Sequence, residues 1–164
     1  MPTLPMTAAG YAALQTELAN RIRITRPHLA ERIQQAIADE PNLIENSEYQ
    51  AAQTEQGLNE PRIAELETKL ARAEVIDVSK LSGETVKFGA TVTLTDLDTG
   101  EERICHIVGE PEADAARGKI SVSSPLARAL ISKSQGAVVA VETPGGDKSY
   151  KIEQVRWKMQ TVRL

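Results

Sequence analysis

The apolar residues in the first half of the chain recur at helical spacing in two long stretches. From Thr7 to about residue 38 they step by three, four or seven residues, which predicts one long helix with Thr7 as its N-cap. From about residue 43 to residue 75 they follow a heptad whose seam becomes polar at Gln56 and Asn59. Two such stripes joined by a short link predict an antiparallel helical hairpin. Arms of about 30 residues would extend roughly 45 Å.

Each predicted arm contains a proline in its interior. Pro27 and Pro61 would each cost a straight helix about 3 kcal/mol. Both lie at nearly the same separation from Leu43, so they should face each other at similar height. We expect a bend or a local loosening there, roughly 25 Å from the tip. The alternative is that the second helix breaks before Pro61.

After residue 78 the pattern changes to the alternation of strands. Strands are predicted over residues 86–97, 103–108, 120–123, 138–142 and 149–155, with turns at residues 98–100 and 144–147. Residues 125–131 predict a short helix, with Ser124 as N-cap and Pro125 at the first helical position. The fold class is therefore α+β. It combines a helical hairpin in residues 1–79, with its tip near residues 39–46, and a compact antiparallel β domain in residues 80–164, with a hinge at residues 80–83.

Composition and charge narrow the class of protein. The formal net charge of −4 argues against nonspecific nucleic-acid binding as the main activity. The sequence has neither an apolar run long enough to cross a membrane nor a signal-peptide pattern at its start, so we expect a cytoplasmic protein. Cys105 has no cysteine partner and is expected in the core.

Several smaller features have unremarkable explanations. The two histidines, His28 and His106, are isolated and are expected to be structural. Glycines 145 and 146 lack the Lys-Ser/Thr that follows in a phosphate-binding loop, so nucleotide binding is rejected. The acidic residues Glu110, Glu112 and Asp114 share a loop and are expected to be solvated or to contact a partner.

The order of short motifs resembles that of the bacterial Gre transcript-cleavage factors of the GreA type. The tip sequence Asn42-Leu43-Ile44-Glu45-Asn46-Ser47-Glu48-Tyr49 resembles the family's Asp-Leu-x-Glu-Asn-Ala-Glu-Tyr. The other matching segments are residues 5–7, Gly10, residues 26–27, 73–77, 88–92, 107–109, 112–114, 120–130 and 144–146.

The resemblance implies a specific fold and role. It implies an N-terminal antiparallel coiled coil and an FKBP-like C-terminal domain. The C-terminal domain would dock on bacterial RNA polymerase while the coiled coil enters the secondary channel. The tip acids would help to hold a second Mg²⁺ at the polymerase active centre, where the polymerase cleaves the 3′ end of backtracked RNA. The partners are then polymerase and the nascent RNA 3′ end, with no membrane and a monomer at the polymerase. The chain itself is expected to be no enzyme and to bind no cofactor on its own.

The tip departs from the family pattern at one acid. Glu45 falls on the family's second tip acid, whereas the first acid falls on Asn42, whose neutral amide should weaken metal recruitment. Asp39 and Glu40 lie just upstream as possible substitutes, and Asn46 completes the tip. Asn42 also has the spacing of a capping box with Glu45, and we favour that capping role over metal handling, while for Glu45 we favour the functional role.

Two further sets of residues come from the resemblance. Ser124, Pro125 and Arg128 resemble the docking side of the family's globular domain, although the same residues fit a helix start. Four arginines of the first arm either contact RNA or the channel wall or, as we favour, form a solvated helix face; they are Arg21, Arg23, Arg26 and Arg32.

Three functions are weighed from the sequence. The first is stimulation of transcript cleavage, weakened by Asn42. The alternative is a Gre-like paralog that occupies the channel without supporting cleavage and modulates or inhibits transcription. A prolyl isomerase receives little weight, because one Trp, three Tyr and one Phe supply few aromatic rings for a proline pocket.

Overall fold

The structure is a computed structural model that describes residues 2–78 and 81–157. It divides into two compact units. Tyr11–Arg72 make up the first, and Pro2–Gly10 together with the chain from Ala73 onward make up the second. The predicted hinge begins at Lys80, which lies outside the described residues.

The first unit is the predicted helical hairpin. Its first arm consists of α1 (Ala8–Asn20), a π-helical turn (Arg21–Thr25) and α2 (Arg26–Asp39), and its second arm is α3 (Ser47–Arg72). Thr7 caps α1 as predicted, because its Oγ1 accepts a hydrogen bond from the Gly10 amide at 3.1 Å. The buried residues of the hairpin recur at helical spacing; they are Leu14, Leu29, Ala36, Ala52, Ile63 and Leu66.

The two prolines affect their helices differently. A π-helical turn lies immediately before Pro27, and the Arg26 amide donates to the carbonyl of Arg21, five residues back. Pro27 has no amide hydrogen, so the first arm loosens where an α-helical hydrogen bond is missing. The second arm continues through Pro61 without a break, so the alternative of a broken second helix is wrong. The buried Ile63 that follows holds that segment in the hairpin.

The predicted second helix ends three residues early. After Arg72 the chain forms β2 (Ala73–Ile76), which pairs in parallel with β1 (Leu4–Thr7) in a two-stranded sheet. Val75 and Ile76 are β-branched and favour this extended conformation. Pairing between segments this distant in sequence carries no local pattern, so neither strand was predicted.

The second unit also contains a five-stranded sheet in the order β5-β4-β3-β7-β6. Its elements are β3 (Thr91–Asp96), β4 (Glu102–Val108), β5 (Lys119–Ser121), β6 (Val138–Thr143) and β7 (Gly146–Arg156), with α4 (Pro125–Leu130) between β5 and β6. The α+β class is confirmed. The prediction of a purely antiparallel sheet is wrong, because β5 runs parallel to β4 after a crossover through two short 3-10 turns (Glu110–Glu112 and Ala115–Arg117).

One face of this sheet and α4 enclose the core of the unit. The core is mainly aliphatic, and Cys105 lies within it, where burial raises the pKa of the thiol. The largest fully buried side chains of the sheet and α4 are Leu94, Ile107, Leu130 and Ile152.

The acidic loop after β4 has a structural role that the sequence did not predict. The Glu112 carboxylate accepts hydrogen bonds from the Gly109 amide at 2.8 Å, the Thr7 amide at 3.0 Å and the Thr7 hydroxyl. A Cβ on Gly10 would lie 1.9 Å from Glu112 Oε1, so the site requires a glycine there. The expectation that Glu112 is solvated or partner-bound is therefore wrong, because its carboxylate ties β1 to this loop.

Within the described residues, no helix combines the length and apolar character needed to cross a membrane.

Candidate functional site

The candidate site is the tip loop, which we define as residues 40–46 between α2 and α3. The last turn of α2 is closed by the Glu40 amide, which donates to the carbonyl of Ala36 at 3.0 Å. At Glu40 the backbone leaves the helical region, with φ −143° and ψ 101°. The chain then turns within a few residues, because the Asn46 and Glu45 amides donate to the carbonyls of Leu43 and Asn42 at 3.4 and 3.2 Å.

Asn46 joins the two helices at the base of the tip loop. Its side-chain amide nitrogen donates to the carbonyls of Ala36 at 2.7 Å and Glu40 at 2.9 Å. Its side-chain oxygen accepts from the amide of Tyr49 at 2.9 Å, which makes Asn46 the N-cap of α3. Only 5% of Asn46 is exposed. One buried carboxamide therefore serves the last turn of α2 and the first turn of α3 together.

The predicted capping role of Asn42 is wrong. Helix α3 begins at Ser47, five residues after Asn42, and the cap is Asn46. The side chain of Asn46 reaches both helices at once, which Asn42 does not do from its exposed position in the turn. Asn42 instead takes part through its backbone, and its amide donates to Glu40 Oε1 at 3.1 Å.

Gln50 holds the turn from the side of α3. Its side-chain amide donates to the carbonyls of Ile44 at 2.7 Å and Leu43 at 3.3 Å. The side chains of these two residues project into solvent, with Ile44 86% exposed and Leu43 39% exposed. The tip thus displays an apolar side chain next to Glu45 on a backbone whose carbonyls are already bonded.

The three acids predicted at the tip are all exposed but have different surroundings. Asp39 is the last residue of α2, and the Glu40 carboxylate is bonded to the Asn42 amide. Glu45 lies in the turn itself. Across the described residues, no group of three or more His, Cys, Asp or Glu side chains is placed to hold a metal ion. The tip therefore does not fit Mg²⁺ as a site of its own.

Below the tip, buried and half-buried polar residues join the two arms near the π-helical turn. Asn59 is 4% exposed; its side-chain oxygen accepts from Arg21 Nη1 at 3.0 Å and its amide nitrogen donates to the Arg21 carbonyl at 3.4 Å. The Glu17 carboxylate accepts from both Arg62 and Arg21, at 2.9 and 2.7 Å. Hydrogen bonds from Arg62, followed by those from Arg21, lower the pKa of Glu17 to about 2, although partial desolvation opposes the change.

Most of the four arginines of the first arm bind acceptors within the hairpin. Arg26 forms a two-pronged ion pair with Glu60, with its closest approach at 2.9 Å, and Arg32 contacts Glu55 at 2.6 Å. With Arg21 bonded as described, three of the four arginines bind acids or amides of the hairpin. Arg23 is exposed. Arg26 is exposed, as the prediction of a solvated face requires, whereas Arg21 and Arg32 are half-buried by their contacts within the hairpin.

The residues predicted for partner binding lie together at the start of α4 in the second unit. Ser124 Oγ accepts from the Ala127 amide at 3.3 Å, so the predicted N-cap is confirmed, and Pro125 occupies the first turn. Pro125 and Arg128 are exposed. This helix start and the tip loop belong to different units.

Sequence reasoning missed Asn46 and Gln50 as organisers of the tip. A signal was present for Asn46, since Asn directly before Ser-Glu at a helical stripe is a common start of a helix. The cap was instead predicted at Asn42, four residues earlier, because Asn42 has the capping-box spacing to Glu45. Gln50 carried no signal, because its acceptors are carbonyls of an irregular turn.

Comparison with known proteins adds the family relationships. The model "Transcription elongation factor, N-terminal" matches residues 4–75, and "Transcription elongation factor, GreA/GreB, C-term" matches residues 81–156. The chain is 58% identical over 158 residues to the transcription elongation factor GreA of Rhodopseudomonas palustris strain BisA53, covering 96% of this chain and 98% of that protein. It is 59% identical over 155 residues to GreA of Bradyrhizobium sp. strain BTAi1, covering 94% and 98%. Among solved structures, the GreA factor homolog 1 (Gfh1) protein of Thermus thermophilus is 28% identical, covers 94% of this chain and 99% of that chain, and gives a TM-score of 0.42.

Proposed function

This chain belongs to the GreA/GreB family of transcription elongation factors, and we propose that it enters the secondary channel of bacterial RNA polymerase to promote cleavage of backtracked RNA. The polymerase would supply the catalytic centre, and this chain would act as an accessory factor. The observation that carries the proposal is the tip loop, where an exposed Glu45 lies on a turn fixed to both helices.

The dimensions of the hairpin support the proposal. Helix α3 alone has 26 residues, which corresponds to about 39 Å of helix rise. Such an arm suits a probe that must cross a protein channel. Ion pairs between the arms, such as that of Arg26 with Glu60, leave fewer free arginines to bind RNA along the way. The contribution to the chemistry is therefore placed at the tip.

At the polymerase active centre, Mg²⁺ would polarise the phosphate and activate the attacking water. Glu45 would direct its carboxylate toward that ion, and Asn42 would offer only a neutral carbonyl oxygen beside it. Losing one charged ligand should weaken recruitment of the ion at least about 10-fold, by analogy with the loss of supporting partners in metal sites. We therefore propose that cleavage stimulated by this chain requires a higher Mg²⁺ concentration than cleavage stimulated by a tip with two acids.

Docking is assigned to the second unit. We place Ser124, Pro125 and Arg128 on the surface that meets the polymerase, because Pro125 and Arg128 are exposed at the start of α4. Arg128 would supply a charged contact, and the Ser124 cap would keep the helix start in shape.

Asn42 also favours a second candidate function. A tip with a single acid could occupy the channel without supporting cleavage and so modulate or inhibit transcription. The two functions differ in one measurable property, which is whether bound protein raises the rate of RNA cleavage.

The test uses the purified protein and backtracked elongation complexes across a range of Mg²⁺ concentrations. Asn42→Asp should raise the cleavage rate and lower the Mg²⁺ requirement. Gln53→Glu, which adds the same charge at an exposed position of α3 away from the tip, is the matched control and should change neither. Cleavage by the unaltered protein would exclude the inhibitor function. If the unaltered protein binds polymerase without raising the cleavage rate, and Asn42→Asp does raise it, then stimulation of cleavage would be excluded as the function of the unaltered protein. Failure of every variant to bind polymerase would refute both.

A further inference from the structure

Asn46 is a buried asparagine at the base of the tip loop whose side chain makes more hydrogen bonds than an N-cap requires. Every polar atom of the Asn46 side chain is used inside the hairpin, with the carbonyls of Ala36 in α2 and Glu40 in the tip loop accepting and the amide of Tyr49 donating. N-capping alone would need only the side-chain oxygen. The additional bonds to Ala36 and Glu40 close the end of α2 onto the start of α3.

Backbone hydrogen bonds hold the chain on both sides of Glu45. Asn46 follows Glu45 directly, and its own amide and carbonyl are bonded to Leu43 at 3.4 Å and Gln50 at 3.1 Å. The Glu45 amide donates to the Asn42 carbonyl at 3.2 Å. Glu45 therefore stands on a turn whose peptide groups are fixed on either side, although its carboxylate is exposed to solvent.

We propose that Asn46 is a positioning residue for the cleavage reaction, which holds the peptide of Glu45 in the single conformation that directs its carboxylate outward from the tip. This inference rests on the proposed function. Asn46 does not touch RNA or metal; it acts through Glu45. Misplacing a reacting group by about 1 Å costs roughly 100-fold in rate, so a fixed turn matters for a single carboxylate.

The chemistry of the alternatives explains why an asparagine is needed. Serine would keep an oxygen that accepts from the Tyr49 amide, but it would lose the side-chain amide nitrogen that donates to the Ala36 and Glu40 carbonyls. Aspartate would keep the cap and set a carboxylate against the carbonyl oxygens of Ala36 and Glu40, which now lie 2.7 and 2.9 Å from the amide nitrogen. Both changes separate the joining role from the capping role.

The hairpin offers a matched control in Asn59. Asn59 is also a buried asparagine that joins the arms, with 4% of its surface exposed, but its partner is Arg21 near the π-helical turn. Asn59→Ala should loosen the hairpin without altering the tip. Asn46→Ser and Asn46→Asp should alter the tip while α3 stays helical.

The first measurement is the order of the tip backbone, from amide relaxation and hydrogen exchange on the full chain. In Asn46→Ser and Asn46→Asp, the amides of residues 42–46 should lose order and protection, whereas in Asn59→Ala they should keep both. Unchanged order at the tip in the Asn46 variants would overturn the proposal.

The second measurement is transcript cleavage at saturating and subsaturating protein, in both the Asn42 and the Asn42→Asp background. The Asn46 variants should lower the maximal rate about 10- to 100-fold with little change in the half-saturating concentration. Asn59→Ala should leave the maximal rate unchanged. A maximal rate unaffected by a disordered tip would overturn the positioning role. If neither background supports cleavage, the proposed function fails on its own, while the order measurement still decides whether Asn46 fixes the turn.

Discussion

The contact of Glu17 with Arg62 and Arg21 gives a stability prediction whose size follows from the structure. The carboxylate accepts hydrogen bonds from both guanidinium groups, chiefly that of Arg62, which lowers the pKa of Glu17 from 4.5 to about 2. That difference corresponds to about 3 kcal/mol of preference for the charged form in the folded state. Because 31% of the Glu17 side chain is exposed, solvent screening reduces the expected contribution to about 1–2 kcal/mol.

The sign of the pH dependence follows from the depressed pKa. Glu17 stabilises the hairpin fully above its unfolded-state pKa, and this stabilisation is lost as the pH falls through the folded-state pKa. Glu17→Gln should therefore destabilise the protein by about 1–2 kcal/mol near pH 7, and the difference from the unaltered protein should shrink to under about half by pH 3. Other acids titrate in both proteins, so the difference isolates Glu17.

The assay is urea denaturation with hydrogen exchange of hairpin amides, at about pH 7 and about pH 3. Glu31→Gln, which removes an exposed acid of α2, is the control and should change stability by less than about 0.5 kcal/mol. An equal destabilisation by Glu17→Gln at both pH values would show that packing, not charge, accounts for the role of Glu17. No destabilisation at either pH would refute the reasoning altogether.

Three further outcomes are expected from the second unit. Gly10→Ala should lower the free energy of unfolding by about 1–3 kcal/mol in urea denaturation, because the new Cβ displaces the Glu112 carboxylate from its donors. In a double mutant with Glu112→Gln, it should cause little further destabilisation beyond that of Glu112→Gln alone. Leu94→Ala should cost about 2–5 kcal/mol, since Leu94 is fully buried in the sheet core, and a loss below that range would contradict the packing. Arg128→Ala should weaken binding to polymerase with stability unchanged, whereas Ser124→Ala should cost about 1 kcal/mol through the lost cap, as measured by binding titration and denaturation.

The elements predicted well from sequence are those whose signals are local. The cap and first turn of α4 follow from Ser124 and Pro125, and the hairpin between β6 and β7 follows from the turn at residues 144–147. Asn59 is buried, as its place on the heptad seam of the second arm predicted. In each case a few neighbouring residues determine the backbone conformation, so the pattern alone carries the information.

The elements that were missed depend on distant partners. Strand β1 becomes a strand because Leu4 to Thr7 pair with residues 73–76, and Glu112 from a third segment bonds Thr7. The direction of β5 depends on a crossover that its three residues do not encode. Strands of three or four residues show too little alternation of apolar and polar residues to be recognised. Because the entropy cost of closing a loop rises only slowly with its length, it does not indicate which distant segments will pair.

The tip shows how the same limit affects functional assignment. The capping-box spacing to Glu45 predicted Asn42 as the cap of α3, whereas the bonds of Asn46 to the Ala36 carbonyl and the Tyr49 amide show that Asn46 has this role. Since Asn46 performs the capping, Asn42 is released from the structural role that would have explained its presence. Asn42 is exposed and makes no cap, so it presents a neutral side chain at the tip, and the shape of the turn depends on Asn46 and Gln50.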